Sequence, residues 1–322
     1  AKMTRAQWEA ARNDAARYGV GGSEIGTLMP NSDRRFTSPI RMYYERIGLW
    51  QSNYRDSKYA FMGRLLEKEI VQLWKHWSGD WDSTMANVAA GKASRKSVAC
   101  NYIIKNPEYL FLFANIDNRI VHSPDAPKKR GILECKTMSG HASDRYETGI
   151  PPKYVVQIQQ YMLVTGQDYA ELAVLMDGVD FEVYPLRANT TIQNKIVEVS
   201  EDFFKRVMDA KEELRKLPKD ASYEMKMQVA SAFEPPVADG DDEYDFLSEK
   251  AKMRLSATIT EPDAEIKAWH TKVKAALEQQ KTHEAEVQGF KNLIRQRMVN
   301  EGIYQYKWDE GVITNGQRFI IK

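Results

Sequence analysis

The segment Gly131-Ile-Leu-Glu-Cys-Lys-Thr137 sets two charged residues, Glu134 and Lys136, inside a run that is otherwise apolar or small. Such a run reads as a strand from Gly131 to Met138. Because side chains alternate across a strand, Glu134 and Lys136 share one face while Leu133 and Cys135 take the other. A carboxylate and an ammonium group are thereby delivered together to one edge of a sheet. Taken alone, the pattern describes an ion pair on a half-exposed strand equally well.

The elements around this strand define the fold class. Residues 5–18 and 22–29 read as short helices about the Gly-rich step Gly19 to Glu24, with Ser23 a candidate cap, and a further helix follows Ser38-Pro39. From Phe61 to Trp77 the apolar positions Leu66, Ile70, Leu73, Trp74 and Trp77 recur at helical spacing. Tyr109 to Val121 reads as strand, bend near Asp117-Asn118, and strand. A helix from Pro152 to Thr165, a hairpin turning at Asp177-Gly178 and a helix from Thr190 to Lys216 complete the order. This is an α/β core with a small mixed sheet flanked by helices.

The core is expected to span residues 1–217, with a linker at 218–243 that carries Glu234-Pro235-Pro236 and the acidic turn from Asp239 to Glu243. In residues 244–322, Ile266, Trp269, Val273, Ala276, Gln280, His283, Val287, Phe290 and Ile294 advance by alternate threes and fours, a heptad seam. The expectation is a C-terminal coiled-coil hairpin, with Tyr244 to Thr258 as the shorter partner helix. Gln280 and His283 act as register-setting polar positions, and a closing pair of strands lies around Asn315-Gly316.

Composition excludes more than it selects. No apolar run approaches the ~20 residues needed to span a bilayer, so no membrane association is expected. The N-terminus lacks a signal-peptide core, so a cytoplasmic location is expected. Cys100 and Cys135 are too few and too separate for a zinc knuckle. With 46 basic and 45 acidic residues, attraction to phosphate must be local. The basic clusters Arg34-Arg35, Lys92 with Arg95 and Lys96, and Lys128 to Arg130 read singly as solvated loops.

Asp117, at the bend ending an apolar strand, can meet Glu134 if their strands are neighbours. Glu67 shares a helix face with Ile70, Val71 and Trp74 and so points inward, where it needs a cation or a salt bridge. Converging carboxylates suit a hard cation such as Mg²⁺ and leave open positions for water and a phosphate oxygen. Lys136 would orient the water or offset charge. Tyr154, Gln157 and Tyr161 share one helix face, where a glutamine can hold a water and contact phosphate.

Five segments, in this order, resemble the YqaJ-like viral recombinase nucleases, relatives of phage lambda exonuclease within the PD-(D/E)xK superfamily. They are Arg17 to Ile25, Gly63 to Glu67, Ala114 to Asp117, Glu134 to Thr137 and Pro152 to Tyr161. The resemblance covers roughly residues 15 to 187. It implies a restriction-endonuclease-like core and a Mg²⁺-dependent 5′ to 3′ exonuclease, with Mn²⁺ as a substitute, that leaves single strands for an annealing protein. By position it implies that Asp117, Glu134 and the Cys135 backbone carbonyl hold the metal and that Glu67 supports it, directly or through a water. Lys136 would be catalytic, Gln157 would place the water, and Arg17, Ser23, Tyr154 and Tyr161 would contact DNA or its 5′ phosphate. Family members are often ring-shaped homo-oligomers on double-stranded DNA ends; for a phage or prophage protein the setting is the bacterial cytoplasm. Where the family often has Asp-Gly at the metal aspartate, this chain has Asp117-Asn118. The competing expectations are a structure-specific or Cas4-like endonuclease, and a DNA-end-binding protein without catalysis.

Overall fold

The computed structural model describes residues 7, 19–30, 37–51, 57–100, 102–138, 150–253, 263–300, 305–308, 311–315 and 319–321. It divides into two units, 1–255 and 256–322.

The first unit is organised by a five-stranded sheet in the order β2 (Lys96–Ala99), β5 (Asn118–His122), β6 (Gly131–Met138), β7 (Tyr169–Met176), β8 (Asp180–Arg187); β3 (Ile104–Lys105) and β4 (Leu112–Ala114) lie elsewhere. β6 and β7 are parallel and the remaining pairs antiparallel. A parallel pair needs a crossover, and α5 (Pro152–Thr165) supplies it. The hairpin between β7 and β8 turns where expected: Asp177 and Gly178 have φ of 49° and 80°, the left-handed region that Asp tolerates and Gly favours. In a second sheet, β1 (Val20–Gly21) runs parallel to β4, which pairs antiparallel with β3.

Apolar side chains fill both faces of the large sheet. On one face Ile132, Ala170, Leu172 and Val174 join residues from α1 (Gly22–Leu28), α2 (Pro39–Ile47), α5 and α6 (Thr190–Lys216). On the other, Leu133, Cys135, Ala173 and Leu175 pack under Ile70, Val71 and Trp74 of α3 (Lys58–His76), which precedes α4 (Trp81–Ala89). The alternation expected of β6 is therefore realised between two cores. Local signals act as their chemistry requires: Ser38 caps α2 by accepting from the Arg41 N–H, Pro39 stands in the first turn, and Gly48 ends the helix at φ 79°. Ser23 is not a cap, because α1 begins at Gly22 with Gly21 in the capping position.

Three expectations are corrected by this arrangement. The stretch 218–243 is not a free linker: it contains α7 (Tyr223–Ser231), whose Met227 and Ala230 are buried, and the start of α8 (Asp241–Met253). α8, the helix expected to pair with the coiled coil, belongs to the first unit and packs within it. Phe246 is fully buried against Tyr44 and Trp50, and Asp242 accepts from Arg41 Nε at 2.9 Å. Residues that read as a solvated acidic turn are a helix N-terminus, where aspartates match the backbone dipole and one meets a guanidinium. The third is Arg95, expected in a solvated loop. It is buried, donates to the Trp77 carbonyl and pairs with Asp125 at 2.6 Å. Arg34-Arg35 lies outside the described residues.

The second unit contains the long helix α9 (Ala264–Asn300) that the heptad pattern predicts, and an antiparallel sheet of β9 (Gln305–Trp308), β10 (Gly311–Asn315) and β11 (Phe319–Ile321), three strands rather than a pair. Among the described residues no helix is long and apolar enough to cross a membrane.

Candidate active site

β5 pairs with β6 only from Ile120 opposite Gly131 to Asn118 opposite Leu133. β6 continues to Met138 alongside β7. Among the described residues no strand pairs with the β5-facing edge of β6 from Glu134 onward, and Asp117, the residue before β5, stands at this notch. The Cys100 N–H holds its backbone carbonyl at 3.0 Å. Its Oδ2 accepts from the Cys135 N–H at 2.9 Å, taking the place of a strand partner. Asp117 is therefore opposite Glu134, as expected if the strands were neighbours.

Glu134 projects toward α5. Its Oε1 accepts from Lys136 Nζ and from Gln157 Nε2, both at 2.7 Å. Its Oε2 is buried with no donor among the described residues, and the Asp117 carboxylate interacts with the Glu134 side chain, an acceptor facing an acceptor. Burial first, and then the Asp117 charge, push the Glu134 carboxyl up to about 8; burial raises Asp117 as well. Near neutral pH the pair needs a shared proton or a cation. Lys136 behaves differently. Burial alone would lower its pKa, but Glu134 and Asp117 hold it above the usual lysine range, so it stays an ammonium. Its Nζ also lies 5.3 Å from the centre of the Tyr154 ring, a cation-π contact.

Glu67 lies on α3, across the sheet from Glu134. It is half-buried, and its charge adds to the upward pressure on Glu134 and on the buried Cys135 thiol. Among the described residues, no three carboxylate, histidine or cysteine groups meet closely enough to form a metal cage. The expected convergence of three carboxylates is thus a close pair with a third acting at longer range.

The α5 residues divide by depth. Gln157 is buried and its amide nitrogen reaches both Glu134 and the Tyr161 hydroxyl, at 2.9 Å, so its donors fix Glu134 instead of facing a phosphate. Tyr161 is 3% exposed, which corrects its assignment to DNA: it braces Gln157. Tyr154 is half-buried and Ser23 exposed. Ser23 is carried next to α5 because Gly22 packs flush on Tyr161, where a Cβ would stand 2.2 Å from the ring. Arg17 lies outside the described residues.

Two supporting groups have no clear sequence signal. Gln160 Nε2 donates to the carbonyls of Val20 and Phe113 at 2.8 and 3.0 Å, tying β1 and β4 to α5. Glu171, fully buried on β7, accepts from Trp74 Nε1 and the Tyr169 hydroxyl, both at 2.6 Å, with Arg95 Nε 3.6 Å away. It fastens the helix that carries Glu67. The one available hint was a carboxylate in the apolar run Tyr169 to Met176, which must find donors if buried.

Comparison with known proteins adds a lineage. The YqaJ-like viral recombinase domain matches residues 7–168. The Bacillus subtilis protein YqaJ is 30% identical over 183 residues, 56% of this chain and 49% of that protein, so the chain spans about half the length of the curated relative it matches. Among solved structures, an alkaline exonuclease from Laribacter hongkongensis is similar over 66% of this chain and 96% of its own, at 16% identity and a TM-score of 0.48. A phage-related exonuclease from Haemophilus somnus is similar over 59% and 95%, at 14% identity and a TM-score of 0.38.

Proposed function

The chain belongs to the YqaJ-like viral recombinase family, and we propose that it is a Mg²⁺-dependent exonuclease that digests one strand of linear double-stranded DNA from the 5′ end, leaving a single strand for an annealing protein in a bacterial cytoplasm. One observation carries this reading: Glu134 and Asp117 meet at the edge of β6 beyond its pairing with β5, with a buried carboxylate oxygen that no donor among the described residues satisfies and a lysine held charged beside it.

That oxygen is the test of whether a cation fits. Two acceptors side by side in a buried notch are stable only with positive charge between them. Asp117, Glu134 and the Cys135 carbonyl would hold Mg²⁺ or Mn²⁺. The N–H and C=O of one residue leave a strand on the same side, and the Cys135 N–H points at Asp117. The ion, when bound, supplies Lewis-acid stabilisation of a phosphodiester and acidifies water. Glu67 supports the site from the α3 side of the sheet.

The protein's own groups do the rest. Lys136 is too well paired to act as a base; as an ammonium it offsets charge that develops on phosphate oxygens and orients a water. Gln157 and Tyr161 hold Glu134 in one rotamer, so that its free oxygen stays on the Asp117 side. Ser23, at the exposed start of α1, is offered to a terminal 5′ phosphate, together with Arg17, and Tyr154 lines the approach to Lys136.

End-labelled linear duplexes with 5′-phosphate or 5′-hydroxyl ends, incubated with Mg²⁺, test the proposal beside a covalently closed circle. The expected result is nucleotide release from linear DNA, faster with the phosphate, no cutting of the circle, and loss of release in Lys136→Ala. Cutting of the circle would make the protein an endonuclease. Protection of ends without release would make it a DNA-end-binding protein.

A further inference from the structure

The seam of α9 is exposed from Ile266 to Phe290. Every described residue from Asp263 to Leu293 is exposed, including Trp269, Val273, Val287 and Phe290, each with more than half of its surface accessible. With the flanking Leu277 and Leu293, this stripe offers roughly 700 Å² of apolar surface, close to the ~800 Å² that each partner gives to a standard protein interface. A stripe of this size on a 37-residue helix has the dimensions of half a coiled coil.

We propose that α9 pairs with α9 of a second copy of this chain, antiparallel, about a two-fold axis between Lys281 and Thr282. The sequence of the seam selects this register. An antiparallel pair centred there brings Gln280 opposite His283 of the second copy, so the two polar seam positions meet each other across the axis instead of facing apolar layers. It also sets the small Ala276 against Val287, and continues outward with Val273 against Phe290 and Trp269 against Ile294, so that bulk alternates along the interface. The axis lies at the middle of the helix, and the overlap is therefore complete.

The parallel alternative fails on the same residues. It would stack Trp269 on Trp269, leave a gap at Ala276 on Ala276, and place Arg297 on Arg297. The antiparallel flanks bring Lys272 beside Leu293 and Gln279 beside Glu286, with no two fixed like charges opposed. A two-fold contact of this kind is isologous and closes on itself, so it yields a dimer and not a filament. The proposal is independent of the nuclease reading.

The test uses full-length Ala276→Cys and Val287→Cys variants, substitutions on an exposed surface that leave the helix intact. The native thiols Cys100 and Cys135 are buried and do not compete. Mild oxidation of an equimolar mixture is expected to give at least tenfold more cross-linked dimer than either variant alone. A dominant product from Ala276→Cys alone would show the parallel arrangement and overturn the register. Absence of any intermolecular product would show the seam covered otherwise and overturn the proposal. As a second measurement, the double variant Val273→Glu with Phe290→Glu is expected to halve the sedimenting mass, whatever other association the first unit supports; an unchanged mass would refute the pairing.

Discussion

Replacing Glu134 with glutamine is expected to stabilise the metal-free protein at alkaline pH while removing its nuclease activity. Glu134 is 2% exposed, and its carboxyl is pushed up to about 8 by burial and by Asp117. Between about 4.5, where an exposed glutamic acid loses its proton, and about 8, the folded chain holds a proton that the unfolded chain has released. Folding is therefore weakened as pH rises through that window, at ~1.36 kcal/mol per pH unit. From pH 6 to pH 8 the loss is about 2 kcal/mol, or roughly 4–8 °C in Tm for a unit of this size. An amide in the same place needs no proton. Its oxygen can accept from Lys136 and Gln157, and its NH₂ can donate to Asp117, as the protonated acid does. The assay is thermal unfolding in chelator at half-unit steps from pH 6 to pH 9 for both proteins, comparing slopes so that groups common to both cancel. The wild type should lose stability steadily up to about pH 8 and the variant should not. Saturating Mg²⁺ should restore the wild type by about 2.7 kcal/mol at one hundred times its dissociation constant, and leave the variant nearly unmoved. Parallel Tm curves for the two proteins would refute the account of Glu134 as a carboxylate waiting for a cation.

Three further substitutions probe the frame around the site. Gly22→Ala places a methyl 2.2 Å from the Tyr161 ring, so α1 must shift; a loss of about 1–3 kcal/mol is expected by denaturant unfolding, with reduced preference for 5′-phosphate ends. Glu171→Ala strands Trp74 Nε1, the Tyr169 hydroxyl and Arg95 in the core; it should cost about 3–5 kcal/mol by chemical denaturation, with a smaller loss in Glu171→Gln. Phe246→Ala empties the contact with Tyr44 and Trp50; a loss of about 3–5 kcal/mol and faster protease cleavage between α7 and α8 are expected, whereas a freely tethered α8 would show neither.

What could be read directly from the sequence was whatever depends on neighbours a few positions away. Alternation along Gly131 to Met138 placed Glu134 and Lys136 together, and the 2.7 Å contact between them follows. The 3.6-residue period of α3, the proline and serine that start α2, and the Asp177-Gly178 turn are local in the same sense, as is the length of α9. Family motifs in the right order brought Asp117 to the same site, because a lineage preserves long-range geometry that composition does not encode.

Tertiary structure decided the rest, and it did so through burial. That β5 stops at Asn118, so Asp117 can bind the Cys135 N–H, is a property of sheet register between segments 18 residues apart. Whether Arg95 and Asp242 are solvated or bonded depends on which distant groups, Asp125 and Arg41, come to meet them. Tyr161, assigned to DNA from its place on a helix face, is buried with Gly22 of α1 packed on its ring, and its hydroxyl accepts from Gln157. A charged or polar side chain has the same local pattern on a surface as in a core; only the packing of remote elements determines whether it faces water, a partner or an ion.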